Sequence, residues 1–380
     1  MKIAFLTPEY PHQRTGKSGG LGTSILNLAT GLVKLGHQVT VMVYQQKKDA
    51  IFEENGIIFY QIRNIKVKGL SLLLTQRKVQ RLINKLYAEK KLDIVEAPDW
   101  TGFTAFVKPK CPLVIRLNGS DTYFCHLDKR PVKAKNRFLE KRALQRADGI
   151  ISVSQFTADV TKKLFNLKTE ITVIPNCIDI AKFQAKNIEV VDATILYFGT
   201  LIRKKGLLEL PFIFNEVNRS QPNTRLILIG KDSADKQTGS NSTWELMKPL
   251  FTSETFKNVN YLGLVPYNEI GEHIGKATVC VFPTFAEALP VSWIEAMALK
   301  KAIVVSNIGW APEVIDDGVN GFLVHPTNHK VFAEKINKLL NDAALRQLFG
   351  DAARKKVEET FATEVVAEKS INFYRKFVKQ

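Results

Sequence analysis

Two glutamates eight positions apart, Glu287 and Glu295, flank the segment Leu289-Pro290-Val291. The pattern puts one carboxylate in a loop and the other inside a helix that opens at Pro290, where a missing N–H costs nothing. The backbone amides from Leu289 to Ser292 then lie at a helix N-terminus. N–H groups without intrahelical partners and the helix dipole favour an anion there. A phosphate on those amides, with a hydroxyl acceptor on either side, matches a phosphorylated sugar. Taken alone, such a pair is more often a loop carboxylate and a glutamate on an exposed helix face.

Other segments offer matching chemistry. Gly199 to Gly206 reads G-T-L-I-R-K-K-G and supplies Arg203 and Lys205; a guanidinium binds phosphate in a fork. Gly16 to Gly22 reads G-K-S-G-G-L-G, with Gly19 and Gly20 at a strand-to-helix turn suited to phosphate. Two nucleotide motifs fail there. A P-loop would need glycine where Pro11 stands, and the spacing is not G-x-G-x-x-G. The next strand also ends in Tyr44-Gln45-Gln46, without the acid that a nicotinamide ribose takes. Asn118-Gly119-Ser120-Asp121 follows an apolar run, at the carboxyl end of a strand where ligands sit in open α/β sheets.

Positioning these groups requires strands and helices in alternation. Lys2 to Thr7 is a strand. A helix with Ile25, Leu28, Ala29, Leu32 and Leu35 on one face follows, Gly36 stops it, and Gln38 to Tyr44 is a second strand. Leu92 to Glu96, Leu113 to Leu117, Ile150 to Val153 and Ile171 to Ile174 read as buried parallel strands. In the second half, Ala193 to Phe198, Arg225 to Gly230, Asn260 to Val265, Val279 to Phe282 and Ala302 to Ser306 do the same, with a helix from Pro290 to about Lys300. The fold class is therefore α/β, with two doubly wound Rossmann-like domains over residues 1–183 and 190–362. Lys182 to Asp192 is a polar connector. Residues 363–380 form a last helix, with Val366, Ile371, Phe373, Tyr374 and Phe377.

The run F-x-E-x-L-P-x-x-x-x-E-A-M-A, followed by a strand, Gly309, Glu313 and Asn320-Gly321, resembles the donor-site signature of the retaining glycosyltransferases of family 4 (GT4). Those enzymes have the GT-B fold, and weaker matches follow along nearly the whole chain. The resemblance implies two domains facing across a cleft, with the last helix crossing back onto the first. The first domain takes the acceptor and the second the nucleotide sugar, a UDP-sugar rather than a GDP-sugar. Glu295 would hold the ribose hydroxyls and Glu287 the donor sugar. Gly19, Gly20, Arg203, Lys205 and the amides around Leu289, Pro290 and Val291 would hold the diphosphate, while the backbone at Val265 would read the base. Two positions depart from the family pattern. Asn118 stands where H-G-x-D would place a histidine, so no imidazole can titrate there. Thr200 stands where the G-R-L-x-x-x-K-G segment has arginine, leaving Arg203 to substitute. Asn118 and Asp121 would face the acceptor or the reacting carbon.

The implied reaction moves a hexosyl group to a hydroxyl of a glycan or lipid-linked glycan, as in bacterial surface polysaccharide assembly. No cofactor is expected. A metal-free site is expected too, since no D-x-D occurs and the six histidines are dispersed. Two other readings stay open: a nucleotide-sugar epimerase on the same fold, and a nucleotide-sugar-binding module without catalysis.

Composition bounds the partners. The 380 residues are 45% hydrophobic, and no apolar run is long enough to span a bilayer. Cys111, Cys125, Cys177 and Cys280 lack paired spacing, which suits a reducing cytosol. The net charge of +17 is concentrated in the first 183 residues, which carry 30 Lys+Arg against 15 Asp+Glu. That asymmetry points to a polyanionic partner. Nucleic acid is set aside, because no recognition motif or stacking aromatics accompany the charge. Residues 69–91 put Val79, Leu82, Ile83 and Leu86 on one helix face and Arg77, Lys78, Arg81 and Lys85 around the rest. This is either a core-packed helix with a solvated basic face or a patch that enters an anionic membrane surface. A second basic cluster runs from Lys129 to Arg146. The expected location is cytoplasmic, peripheral on the inner face of the plasma membrane.

Overall fold

The computed structural model describes residues 1–16, 18–184 and 188–378. Lys17 of the glycine-rich loop, residues 185–187 of the expected connector and the last two residues of the tail lie outside that set. The chain divides into two compact units, Met1–Asp179 with Phe361–Gln380, and Ile180–Thr360.

Among the described residues, the first unit is built on eight strands: β1 (Lys2–Thr7), β2 (Gln38–Gln46), β3 (Ala50–Glu54), β4 (Ile57–Arg63), β5 (Ile94–Pro98), β6 (Leu113–Leu117), β7 (Gly149–Ser152) and β8 (Ile171–Val173). They lie in the order β3-β4-β2-β1-β5-β6-β7-β8. All neighbours are parallel except the β3–β4 hairpin. Its helices are α1 (Gly20–Lys34), α2 (Ser71–Ala88), α3 (Asp121–Leu127), α4 (Ala134–Arg146) and α5 (Gln155–Phe165). One face of the sheet packs on Ile25, Leu28 and Leu32 of α1 and on Val366, Ile371 and Tyr374 of the C-terminal helix Thr363–Tyr374. The other face packs on Val79, Ile83 and Leu86 of α2. Both faces are covered, so the central strands are buried along their length and largely apolar, with Glu96 on β5 and Arg116 on β6 as charged exceptions.

A buried ionic group fixes the C-terminal helix. Arg116 on β6 donates from Nε and Nη2 to the Glu96 carboxylate on β5, at 2.7 and 3.1 Å, and the Tyr374 hydroxyl donates to the same carboxylate at 2.5 Å.

The second unit holds six parallel strands: β9 (Thr194–Phe198), β10 (Arg225–Ile229), β11 (Val259–Tyr261), β12 (Val279–Phe282), β13 (Ile303–Ser306) and β14 (Phe322–Val324), ordered β11-β10-β9-β12-β13-β14. Its helices are α6 (Leu210–Ser220), α7 (Thr243–Met247), α8 (Ser253–Phe256), α9 (Ile270–Lys276), α10 (Val291–Ala298), α11 (Ala311–Val314), α12 (His329–Asn341) and α13 (Ala343–Lys356). The strand expected over Asn260 to Val265 is shorter. It ends at Tyr261, because Gly263 turns the chain at φ +69°. Val265 therefore lies in a loop.

Each sheet has a point where successive connections leave in opposite directions: between β1 and β5 in the first, and between β9 and β12 in the second. Ligands in such sheets bind beyond the carboxyl ends of those strands.

Candidate active site

In the second unit, the carboxyl end of β9 leads to Gly199, Thr200 and the 3-10 turn Arg203–Lys205, and that of β12 leads to the loop carrying Glu287. The two loops are stitched together. The N–H groups of Phe285 and Ala286 donate to the Lys204 carbonyl at 2.8 and 3.2 Å. Gly206, at φ +72°, lets the turn pass Pro283 so closely that a Cβ would fall 1.7 Å from its carbonyl oxygen. Only glycine fits there, and it brings Lys205 against Glu287, with Nζ 2.9 Å from Oε1. Burial alone would raise the Glu287 carboxyl. The Lys205 and Lys204 charges outweigh it and hold the group below its ordinary value.

Pro290 is the residue before α10 rather than its first, with ψ 116°, and the helix ends at Ala298, two residues short of Lys300. Lys300 takes a left-handed φ of 56°, which turns the chain into β13. Leu289, Pro290 and Val291 form the entry to the helix. Glu295, one turn in, is 5% exposed, so the exposed-glutamate alternative does not hold. The Tyr267 hydroxyl donates to Glu295 Oε1 at 2.6 Å. Burial lifts this carboxyl to about 7 against the opposing effects of Tyr267 and Lys205. Tyr267 belongs to the same loop as Val265.

Arg203 points elsewhere. Its Nε and Nη2 grip both oxygens of Asp235 at 2.8 Å each. That guanidinium holds the buried Asp235 carboxyl far below the usual carboxylate range. Lys205 and Glu287 are thus in contact, whereas the Arg203 fork is occupied by a carboxylate that local sequence does not reveal.

In the first unit, Gly19 precedes α1 and Gly20 opens it. The N–H groups of Gly19 and Gly22 both donate to Glu9 Oε1, at 3.0 and 3.1 Å. A carboxylate of the chain itself therefore sits where the glycine-rich turn was expected to approach phosphate. Asn118 and Asp121 lie beyond β6. The Asn118 N–H donates to Asp99 Oδ1 at 3.0 Å. Asp99 is 1% exposed. Burial, with the Glu140 charge nearby, lifts its carboxyl to about 7 despite that hydrogen bond. Asp121 opens α3 and accepts from Asn136 Nδ2 at 3.0 Å, and its N–H and that of Thr122 donate to the buried Glu140 on α4 at 3.0 and 3.1 Å.

Of the two readings of α2, the structure shows the core-packed helix. Val79 and Ile83 are fully buried and Leu86 nearly so, all packed on the sheet, which leaves the stripe unable to enter a bilayer. Lys78 is taken by Asp49 at 2.6 Å, and Lys85 lies 3.9 Å from Glu89. Arg77 and Arg81 remain exposed, as do Val67 and Leu70 ahead of the helix.

Glu9, Asp99, Glu140, Asp235 and Tyr267 were not read from the sequence. Asp99 and Glu9 carry a local signal, since each lies just past the carboxyl end of a strand, β5 and β1. The others act through partners far along the chain.

Two family models match in tandem: "Glycosyltransferase Family 4" over residues 18–182 and "Glycosyl transferases group 1" over residues 179–356. An uncharacterized glycosyltransferase of Methanocaldococcus jannaschii is 25% identical over 99% of this chain and 98% of its own length. The capsular polysaccharide biosynthesis glycosyltransferase CapM of Staphylococcus aureus is 28% identical over 64% of this chain and 65% of its own. Among solved structures, the sucrose-phosphate synthase of Thermosynechococcus elongatus aligns with a TM-score of 0.79 at 19% identity, and Anabaena HepE in complex with UDP and glucose with 0.77 at 19%, each over 99% of both chains. The tandem domain matches and the architecture together make this chain a glycosyltransferase of family 4 with the GT-B fold.

Proposed function

We propose that the enzyme moves a hexosyl group, with retention at the anomeric carbon, from a nucleoside diphosphate sugar to a hydroxyl of a glycan or lipid-linked glycan. The observation that carries this reading is the Lys205–Glu287 contact beside α10, with Glu295 buried one turn into that helix. The leaving group is a diphosphate, so the main catalytic demand is stabilisation of developing negative charge. Lys205 supplies a cation and the N-terminus of α10 a positive dipole end. Glu287 is kept ionised and accepts hydroxyls of the donor sugar, while Glu295 takes the ribose and the backbone around Val265 the base. The fixed cation and dipole support turnover without a metal. A UDP-sugar is preferred, in keeping with the UDP held by HepE and by Staphylococcus aureus TarM in their crystal structures. Asn118 and Asp121, with Asp99 behind them, contribute to the acceptor side.

Assembly of a bacterial surface polysaccharide at the cytoplasmic face of the membrane fits this reading. CapM acts in capsular polysaccharide biosynthesis, and WaaG, another structural relative, in lipopolysaccharide biosynthesis. Among the described residues no helix is long and apolar enough to cross a membrane.

A panel of nucleotide sugars tests the proposal. Wild-type protein should consume one UDP-sugar, by slow hydrolysis or by transfer, while Glu287→Ala should lose about 10²-fold or more in rate. EDTA should leave turnover unchanged. Donor consumption that survives in Glu287→Ala, or that stops with EDTA, contradicts the site.

A further inference from the structure

The inner face of α4, formed by Leu139, Glu140, Ala143 and Leu144, is buried, and Glu140 there holds the N-terminus of α3. Phe138 points the other way and is 57% exposed. Its neighbours at helical spacing are Lys135 three residues before it and Lys141 and Arg142 three and four after. Arg137 and Arg146 extend the charge, and the one acid of the helix, Glu140, is turned inward. Two more exposed rings, Phe106 and Trp100, lie in segments that pack on α4. The Arg142 guanidinium lies 4.8 Å from the ring centroid of Phe106. Trp100 sits in a 3-10 turn packed so tightly on α4 that a Cβ at Gly102 would lie 2.2 Å from the Leu139 carbonyl carbon.

Water solvates such a row of cations but not the rings among them, and a dissolved polyanion would neutralise the charge and leave the rings wet. An anionic bilayer serves both: phosphates meet the lysines and arginines, and the interfacial layer takes the aromatic side chains. We propose that α4 is the membrane-docking face of this enzyme, with Phe138 entering the headgroup layer of an anionic bilayer between Lys135, Lys141 and Arg142. The proposal rests on the acceptor reading above, because a lipid-linked acceptor places the reaction at a membrane. It adds the surface that meets that membrane and a link to the site: the docked helix is the one whose inner face fixes Asp121.

The test is sedimentation of the full chain with phosphatidylcholine vesicles and with vesicles that also contain phosphatidylglycerol. Binding should need the anionic lipid and weaken with salt. The Lys135→Gln/Lys141→Gln pair should lower partitioning roughly 20-fold, and Phe138→Ser roughly fivefold. Arg77→Gln/Arg81→Gln on α2 should leave it unchanged. Equal binding to both vesicle types, or retention by the α4 variants, overturns the proposal. So does loss with the lysine pair, but not with Phe138→Ser, on heparin or an oligonucleotide while vesicles stay unbound, because α4 would then be a polyanion site. Donor hydrolysis, read in parallel, separates the two ideas. Phe138→Ser should hydrolyse donor at the wild-type rate, whereas a wild type that docks but consumes no donor would refute the enzymatic reading and leave the docking face standing.

Discussion

At the scale of single residues, the two carboxylates of the proposed donor region are driven in opposite directions. Glu287 faces Lys205 and Lys204 and is held ionised. Glu295 faces the Tyr267 hydroxyl and a more remote Lys205, and burial lifts it from 4.5 to about 7. The consequence for stability has a definite sign. The native protein holds the Glu295 proton more tightly than the unfolded chain does, so this group's contribution is intact at low pH and is lost as pH rises from about 4.5 through 7. Glu295→Gln mimics the protonated form and does not titrate. Relative to wild type it should gain stability between pH 5 and pH 8, by up to about 3 kcal/mol, read as a widening difference in Tm. A difference that stays constant across that range would show that Glu295 is not buried with a raised pKa. Asp99 titrates in the same interval but is common to both proteins, so it cancels.

At the scale of elements, the sequence was most legible where burial was complete. Strands such as β12, and β13 up to its last residue, are fully buried and read as continuous apolar runs. The β3–β4 hairpin escaped that reading because β3 is an edge strand that leaves Ile51 66% exposed. Its turn was nevertheless written in the chain: Asn55 and Gly56, at φ 51° and 73°, are the Asn-Gly pair that closes a tight hairpin. The α2 stripe was ambiguous for a physical reason, since an apolar helix face has one periodicity whether a sheet or a bilayer covers it. The candidate site was legible where its residues are close in sequence, as from Glu287 to Glu295. It was opaque where one group answers another across the fold, as Asp235 answers Arg203 from 32 positions away. The C-terminal helix is held by such a distant answer. Removing the Tyr374 hydroxyl should cost about 1–3 kcal/mol, since Arg116 still pairs with Glu96. Glu96→Gln leaves the Arg116 charge buried without its counterion and should cost about 3–5 kcal/mol. Chemical denaturation of the two variants checks the ranking, and equal losses would show that the ion pair is not what secures this layer.

At the scale of the whole molecule, the two units differ in how their chains are closed. The second is continuous, Ile180–Thr360, and has its own six-stranded sheet. The first needs Phe361–Gln380 from the far end of the chain, and without it the part of the sheet face that packs on Val366, Ile371 and Tyr374, beside α1, would be bare. Hydrophobic burial scales with the apolar area covered, so the two halves should behave differently when expressed alone. A fragment of residues 180–360 should fold and keep most of its affinity for UDP, because Lys205, the Val265 loop, Glu287 and Glu295 all belong to it. A fragment of residues 1–179 should be poorly folded until a peptide of residues 361–380 is added in trans, and should then recover a cooperative melt. Circular dichroism and calorimetric titration with UDP decide both points. Nucleotide binding that requires the first fragment would move the principal contacts to the Gly19–Gly20 turn, and the donor site would have to be rebuilt around Glu9 instead of α10.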